Sequence, residues 1–284
     1  MENMRNENPR VEKLGPIDLG PGVTTANGWA FLLTMFFVGI LAPFINFAQP
    51  YILTEHLEIP INEQGAVSGN LAFWSEVVMI LLAGVMGAWS DTMGRRLVFA
   101  LGLAGVALSY VLYPFATSYE ELLSYRLIYA VGMAAIGAMT IAIMAEYPAN
   151  QSRGKLSASV GILSTLGVMF VVAVLAPLPT RFVIGGATAI EAGRYTYWIT
   201  AGIAITGMLF TWFGLSKLKT ARNTALSLMQ RLRIGFTAAR NNPRIALSYG
   251  AAFIGRTDLV VVVIFLSLWI THVSLEQGMT SEEA

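Results

Sequence analysis

Seven long apolar runs constrain this chain more than anything else in it. They fall at approximately 27–53, 65–89, 96–116, 123–146, 156–178, 195–216 and 245–271. Each reaches or exceeds the roughly 20 residues that an α-helix needs to cross a hydrocarbon core. Only 12% of the residues are charged and 55% are hydrophobic, against about 25% charged in an ordinary soluble domain. Such a chain cannot cover itself for water, so its predicted partner is a lipid bilayer. A net charge of +1 argues against nucleic acid, and the absence of Cys removes disulfides and thiolate metal sites.

Gly, Ala and Ser recur inside the runs, as in Ala83-Gly84, Gly87-Ala88 and Gly132 to Gly137. Small residues let helix backbones approach where lipid supplies no hydrophobic drive, so these spans are predicted to pack as one bundle. Residues 1–26 are mostly polar and lack the charged-then-apolar layout of a cleavable signal. They are expected to form a tail.

Orientation follows from Lys and Arg in the loops. Of the 18 Lys and Arg, Arg181 and Arg194 fall on the side opposite the N-terminus, and Arg126 and Arg256 lie within spans. All the others fall on the N-terminal side, which predicts a cytoplasmic N-terminus in the cell (inner) membrane. The 217–244 linker is strongly basic, with Leu218, Ala221, Ala225, Met229, Leu232 and Phe236 at helical spacing. That pattern predicts an amphipathic helix at the cytoplasmic face, ending near Asn241-Asn242-Pro243. A disordered basic tether is the alternative. The linker separates a six-span domain, 27–216, from residues 245–284, which hold one further span.

Span 1 leads into "YILTEHLEIPINEQGAVSG" and span 7 into "LWITHVSLEQGMTSEEA". Both leave the membrane with Ile and a His, His56 and His272, before a Glu/Gln-rich stretch. This loose echo is what a repeat between two halves of a transporter would leave. On that reading the sequence is a fragment, with the C-terminal half of the same chain still to come.

Between spans 2 and 3 stands "GAWSDTMGRR", with Gly87, Asp91, Gly94, Arg95 and Arg96. Gly87 is expected to let span 2 pack against a neighbour, and Gly94 to permit a bend closed to other residues. Asp91 can accept hydrogen bonds at a helix start. The two arginines hold the turn in the cytoplasm and can reach an acid. An ordinary positive-inside turn would explain the arginines but not the Asp and Gly.

In this turn the sequence resembles the major facilitator superfamily, whose signature is Gly, three residues, Asp, a base, any residue, Gly and two bases. The base expected after Asp91 is Thr92, a departure that weakens one arm of the charge cluster. Two further elements match: "EYPANQSRGK" after span 4, with Glu146, Arg153, Gly154 and Lys155, and Arg126 followed by Gly132 in span 4. The resemblance covers almost all of the chain past residue 27. It implies an all-α polytopic membrane protein, a six-helix N-terminal bundle of 3+3 repeats plus the seventh span. It also implies a transporter of two six-helix halves, with its substrate site near the midplane and reached alternately from either side. Asp91 would then meet a helix of the second half, and Arg95 would pair with Glu146, making the turn a gate latch.

Ionisable groups within spans cost about 2.5–3.5 kcal/mol on insertion scales and normally face protein or water. Glu76, in "FWSEVV", shares a helical face with Gly69, Ala72, Ala83 and Gly87 and is expected to point into the bundle. It could carry a proton or a cationic substrate, or be a protonated Glu bonded to a neighbouring helix. Arg256 and Asp258 diverge by roughly 200° around span 7, so each needs a partner elsewhere. Asp258 is a candidate proton or substrate site, and Arg256 suits an anionic substrate. Arg126 is a further candidate, although it could simply brace span 4 near the outer surface. Asn46 and Gln49 stand between Pro43 and Pro50. They could read a solute in a cavity or bond the backbone that the prolines free.

The function expected is secondary active transport of a small organic solute by alternating access, proton-coupled and needing no cofactor. A non-transporting sensor built on the same fold is the alternative. Symport and antiport both remain open, although span 5 lacks the adjacent Gly-Pro of many family antiporters. No span contains the Lys of a retinal protein. There is no His-Glu-x-x-His, Gly-x-Ser-x-Gly or phosphate loop, so an enzyme is not expected.

Overall fold

The computed structural model describes residues 12–217 and 228–248, with isolated positions 250, 251, 269 and 273 beyond. The described residues begin with a small hairpin, β1 (Lys13–Leu14) against β2 (Ile17–Asp18). Six long helical stretches follow. They are built from α1 (Thr25–Tyr51), α2 (Ile61–Met93), α3 (Arg95–Leu112), α4 (Tyr119–Glu146), α5 (Arg153–Phe170) with the short α6 (Leu178–Ile184), and α7 (Ala189–Gly214). A separate helix, α8, covers Leu228–Asn241, and the Asn242 side chain then accepts from the Arg244 N–H at 3.0 Å. Six helices among the described residues are long and apolar enough to cross a membrane. This is an all-α multi-pass membrane protein.

Helix starts are written in polar residues. Thr24 and Asn27 form a reciprocal capping box on α1, and Thr188 and Glu191 do the same on α7. Ser118 accepts from the Glu121 N–H at the start of α4. Each satisfies donors that the first helical turn leaves without partners. These caps, and polar ends such as Glu63, extend several helices beyond the apolar windows. The second covers 61–93 rather than 65–89, and the sixth begins at 189 rather than 195. Two π-helical turns interrupt the bundle, Ile52–His56 after α1 and Val171–Leu175 after α5.

Tight crossings depend on glycine at two places. A Cβ on Gly132 of α4 would lie 2.6 Å from the Gly102 carbonyl of α3. One on Gly167 of α5 would lie 2.5 Å from the Phe36 carbonyl of α1. Both are inside van der Waals contact, so only glycine permits these approaches. Gly87 behaves differently: a Cβ there would meet nothing within 4 Å among the described residues, so the expected packing role is not seen. Between these helices the core is filled by rings. Tyr113 stacks on Tyr197 at 5.4 Å, and Phe44 meets Tyr110 and Tyr197 edge-on.

The expected tail is not a loose one over its described part. Leu14, Ile17 and Leu19 are each 2% exposed. Gly15 turns the hairpin at φ +57°. Asp18 takes the Ala149 N–H on its carbonyl, and its own N–H donates to Ser152 Oγ. Lys155 donates to the Pro16 carbonyl at 2.9 Å. Three apolar residues in a polar stretch therefore clasp α1 to the α4–α5 turn.

Candidate functional site

Two polar clusters stand out in the bundle, one at each level of α4. The first lies at its C-terminal end. Gly94 alone joins α2 to α3, at φ +96°, a conformation that an L side chain rarely adopts. The bend folds Arg95 back over the end of α2. Its Nη2 lies 2.7 Å from Asp91 Oδ1 and 2.8 Å from Glu146 Oε1, and Nε reaches Glu146 Oε2 at 3.3 Å. Nη1 donates to Ser90 Oγ and, at 3.4 Å, to the Gly87 carbonyl. Arg95 is only 8% exposed. One guanidinium therefore ties together the ends of α2, α3 and α4, with two carboxylates supplying the countercharge that burial demands.

The neighbours depart from the expected roles. Asp91 is paired with Arg95, four residues on. Among the described residues Arg96 pairs with no acid: its guanidinium lies over the Trp212 ring of α7, 4.7 Å from the centroid. Thr92 is exposed and bonds back to the Trp89 carbonyl. Arg153 donates to the Ala145 carbonyl at 3.2 Å and does not join the Arg95 cluster. Tyr147, next to Glu146, accepts the Ser216 N–H at 3.0 Å. Burial pushes its phenol up to about 12, so it stays neutral beside the charged cluster.

The second cluster centres on Arg126, in the second turn of α4. It is 3% exposed and points into the bundle, not towards the outer surface. Its Nε donates to Ser75 Oγ at 3.2 Å, Nη1 to Gln49 Oε1 at 3.0 Å, and Nη2 to Asn46 Oδ1. Gln49 is fixed from two further sides, by Ser68 Oγ at 2.7 Å and by the Tyr113 hydroxyl at 3.3 Å. Asn46 and Gln49 thus serve a cation rather than backbone freed by prolines. The hydroxyls of Tyr110 and Tyr129 go to backbone instead, at the Leu41 and Ala42 carbonyls just before Pro43. Among the described residues no ion pair involves Arg126, so amides and hydroxyls replace its water.

Glu76 does not enter this cluster. The packed face of α2 carries Gln64, Ser68, Leu71, Ala72 and Ser75, while Glu76 is half-buried at its border. The expected small-residue face is open at Gly69 as well as Gly87. Arg256 and Asp258 lie outside the described residues. The tyrosine and serine partners of Arg126 carried no sequence signal, because single hydroxyls are common in such helices. No group of three His, Cys, Asp or Glu among the described residues could hold a metal.

Six apolar helices around a buried, amide-clamped arginine, with a charge cluster across the α2–α3 turn, define a polytopic helical membrane protein with ionic groups kept inside its bundle. A profile of the Major Facilitator Superfamily matches residues 26–282, and the chain belongs to that family. It is similar to the magnetosome protein MamH of Paramagnetospirillum magneticum, at 24% identity over 79% of this chain and 51% of that protein. MamZ of Magnetospirillum gryphiswaldense is 23% identical over 93% of this chain and 40% of its own length. A triacylglyceride transporter of Mycobacteroides abscessus is 26% identical over 62% of this chain and 34% of its own. The chain spans about half, or less, of the length of these relatives.

Proposed function

We propose that the protein is a secondary active transporter, moving a small organic solute across the membrane by alternating access with proton coupling. The observation that carries this reading is Arg126: a nearly fully buried cation inside a membrane bundle, held by Asn46, Gln49 and Ser75 with no carboxylate paired to it among the described residues. A charge so placed is costly and is characteristic of solute and ion pathways. Half-exposed Asn46 gives the cluster an approach from outside the bundle. An acceptor group on a solute would find both the guanidinium and the amides there. Relatives named as triacylglyceride transporters support the same reading.

In this reading Asp91, Arg95, Arg96 and Glu146 act as the gate at the cytoplasmic end, in the inner membrane, with the N-terminus on the cytoplasmic side. The Asp91–Arg95–Glu146 cluster would hold α2, α3 and α4 together and yield as the two halves rock. Glu76 and Asp258 are the candidate proton carriers, and Arg256 a candidate solute ligand. The chemistry calls for no cofactor and no bond-making step in the protein. The test is uptake by membrane vesicles containing the full-length protein. Asp91→Asn should impair uptake while leaving membrane insertion intact, and normal rates would remove the gate role. Absence of uptake or exchange for any solute driven by a proton gradient would count against transport itself.

A further inference from the structure

The two π-helical turns face one cavity. Ile52–His56 interrupts the first membrane stretch and Val171–Leu175 the fifth. π-Helical residues are rare, well under 1% of residues, and such turns occur disproportionately at functional sites. Here Glu55 from one turn and Val171 and Leu175 from the other line a partly open cavity of about 350 Å³, with further wall from α6 and α7. It lies on the other face of α1 from Asn46 and Gln49, neither of which is in its wall. It is therefore separate from the Arg126 cluster.

The wall has a definite chemistry. The rings of Phe47 and Tyr51 supply aromatic surface, and Glu55 supplies a carboxylate. Among the described residues Glu55 makes no ion pair or hydrogen bond. Tyr197 is 1% exposed, yet its hydroxyl has no partner among the described residues. Two bases stand behind the wall: His56, whose Nδ1 lies 3.1 Å from the Pro114 carbonyl and whose ring meets Tyr51 edge-on, and Arg194, which lies over the ring of Phe115, 5.0 Å from the centroid. Phe115 is not part of the wall.

We propose that this cavity is a binding site for a small hydrophobic organic cation, an alkyl- or arylammonium. The carboxylate supplies the countercharge. Ring faces carry negative potential and attract such cations further. Small-molecule pockets span roughly 300–1,000 Å³, and this one lies at the lower end, the size of a single-ring ammonium. Glu55 follows Ala48 by seven residues and Tyr51 by four, so helical spacing brings all three to the wall.

The experiment measures binding of benzyltrimethylammonium to the full-length protein in phosphatidylcholine nanodiscs by titration calorimetry, with no ion gradient. Saturable binding is expected, and benzenesulfonate, a ring of similar size with the opposite charge, should not bind. Glu55→Gln should weaken binding by about tenfold or more, the scale of a lost charge-assisted contact. Ala48→Phe, which fills the cavity, should abolish it, and serves if the first variant fails to fold. Ile141→Ala, at an exposed position of α4 away from the wall, should leave it unchanged. No saturable binding, equal binding of benzenesulfonate, or binding indifferent to both cavity variants would overturn the assignment. The readout involves no transport, so a protein that binds the cation yet carries no solute would keep this site and lose the transport reading.

Discussion

Arg126 and Arg95 solve the same problem in different ways, and the difference predicts how each responds to change. Arg126 spreads three N–H groups over three separate acceptors on α1 and α2. Lysine offers a single ammonium that cannot span them. Arg126→Lys is expected to lower uptake at least about tenfold while leaving the amount in the membrane unchanged, measured by transport and surface quantification. One lost charged hydrogen bond, at about 1.5–3 kcal/mol, is enough for that effect. Arg95 instead concentrates two carboxylates on one guanidinium. A double-mutant cycle of Arg95→Lys and Glu146→Gln, read by thermal unfolding of the purified protein, should show a coupling of roughly 0.5–3 kcal/mol. Additive effects would mean that the pair at 2.8 Å carries no net coupling.

At the scale of elements, the helices are held by close approach rather than by charge. α3 and α4 touch through Gly102 and Gly132, where any larger residue meets backbone. Gly132→Val should cost about 1–3 kcal/mol through forced separation of the helices. Gly137→Val, on the same helix with open space at its Cβ, should be nearly neutral in the same unfolding measurement. The hairpin acts as an element in its own right. Leu14→Asp would put a charge among buried side chains, since Leu14 Cδ2 lies only 2.8 Å from where a Gly28 Cβ would stand. It should release the clasp on Lys155 and speed tryptic cleavage there in opened membrane vesicles. An unchanged cleavage rate would show that the hairpin does not guard the α4–α5 turn.

For the molecule as a whole, the sequence by itself determined the class. A chain with these apolar runs and so little charge must lie in a bilayer, and there only regular helices satisfy the backbone. Six of the seven expected spans (the seventh lies outside the described residues), the close packing at Gly132 and the polar signature of the α2–α3 turn are local patterns, and could be read along the chain. The bend at Gly94 was readable for the same reason, being a property of one residue's backbone. The tertiary structure decided which polar groups meet. Arg126 could have braced a surface, and Asn46 and Gln49 could have bonded their own helix. Their convergence depends on the angles between α1, α2 and α4, which no short-range spacing records. The same holds for Arg96, which faces Trp212 instead of an acid, and for the hairpin, whose three apolar residues look unremarkable until the α4–α5 turn comes against them. The two π turns were invisible too, because an extra residue per turn depends on tertiary packing and leaves apolar periodicity almost unchanged over five residues. Hydrophobic free energy scales with composition and is legible along a chain. Hydrogen bonds between distant side chains depend on orientation to within fractions of an ångström, and only the packed bundle sets that.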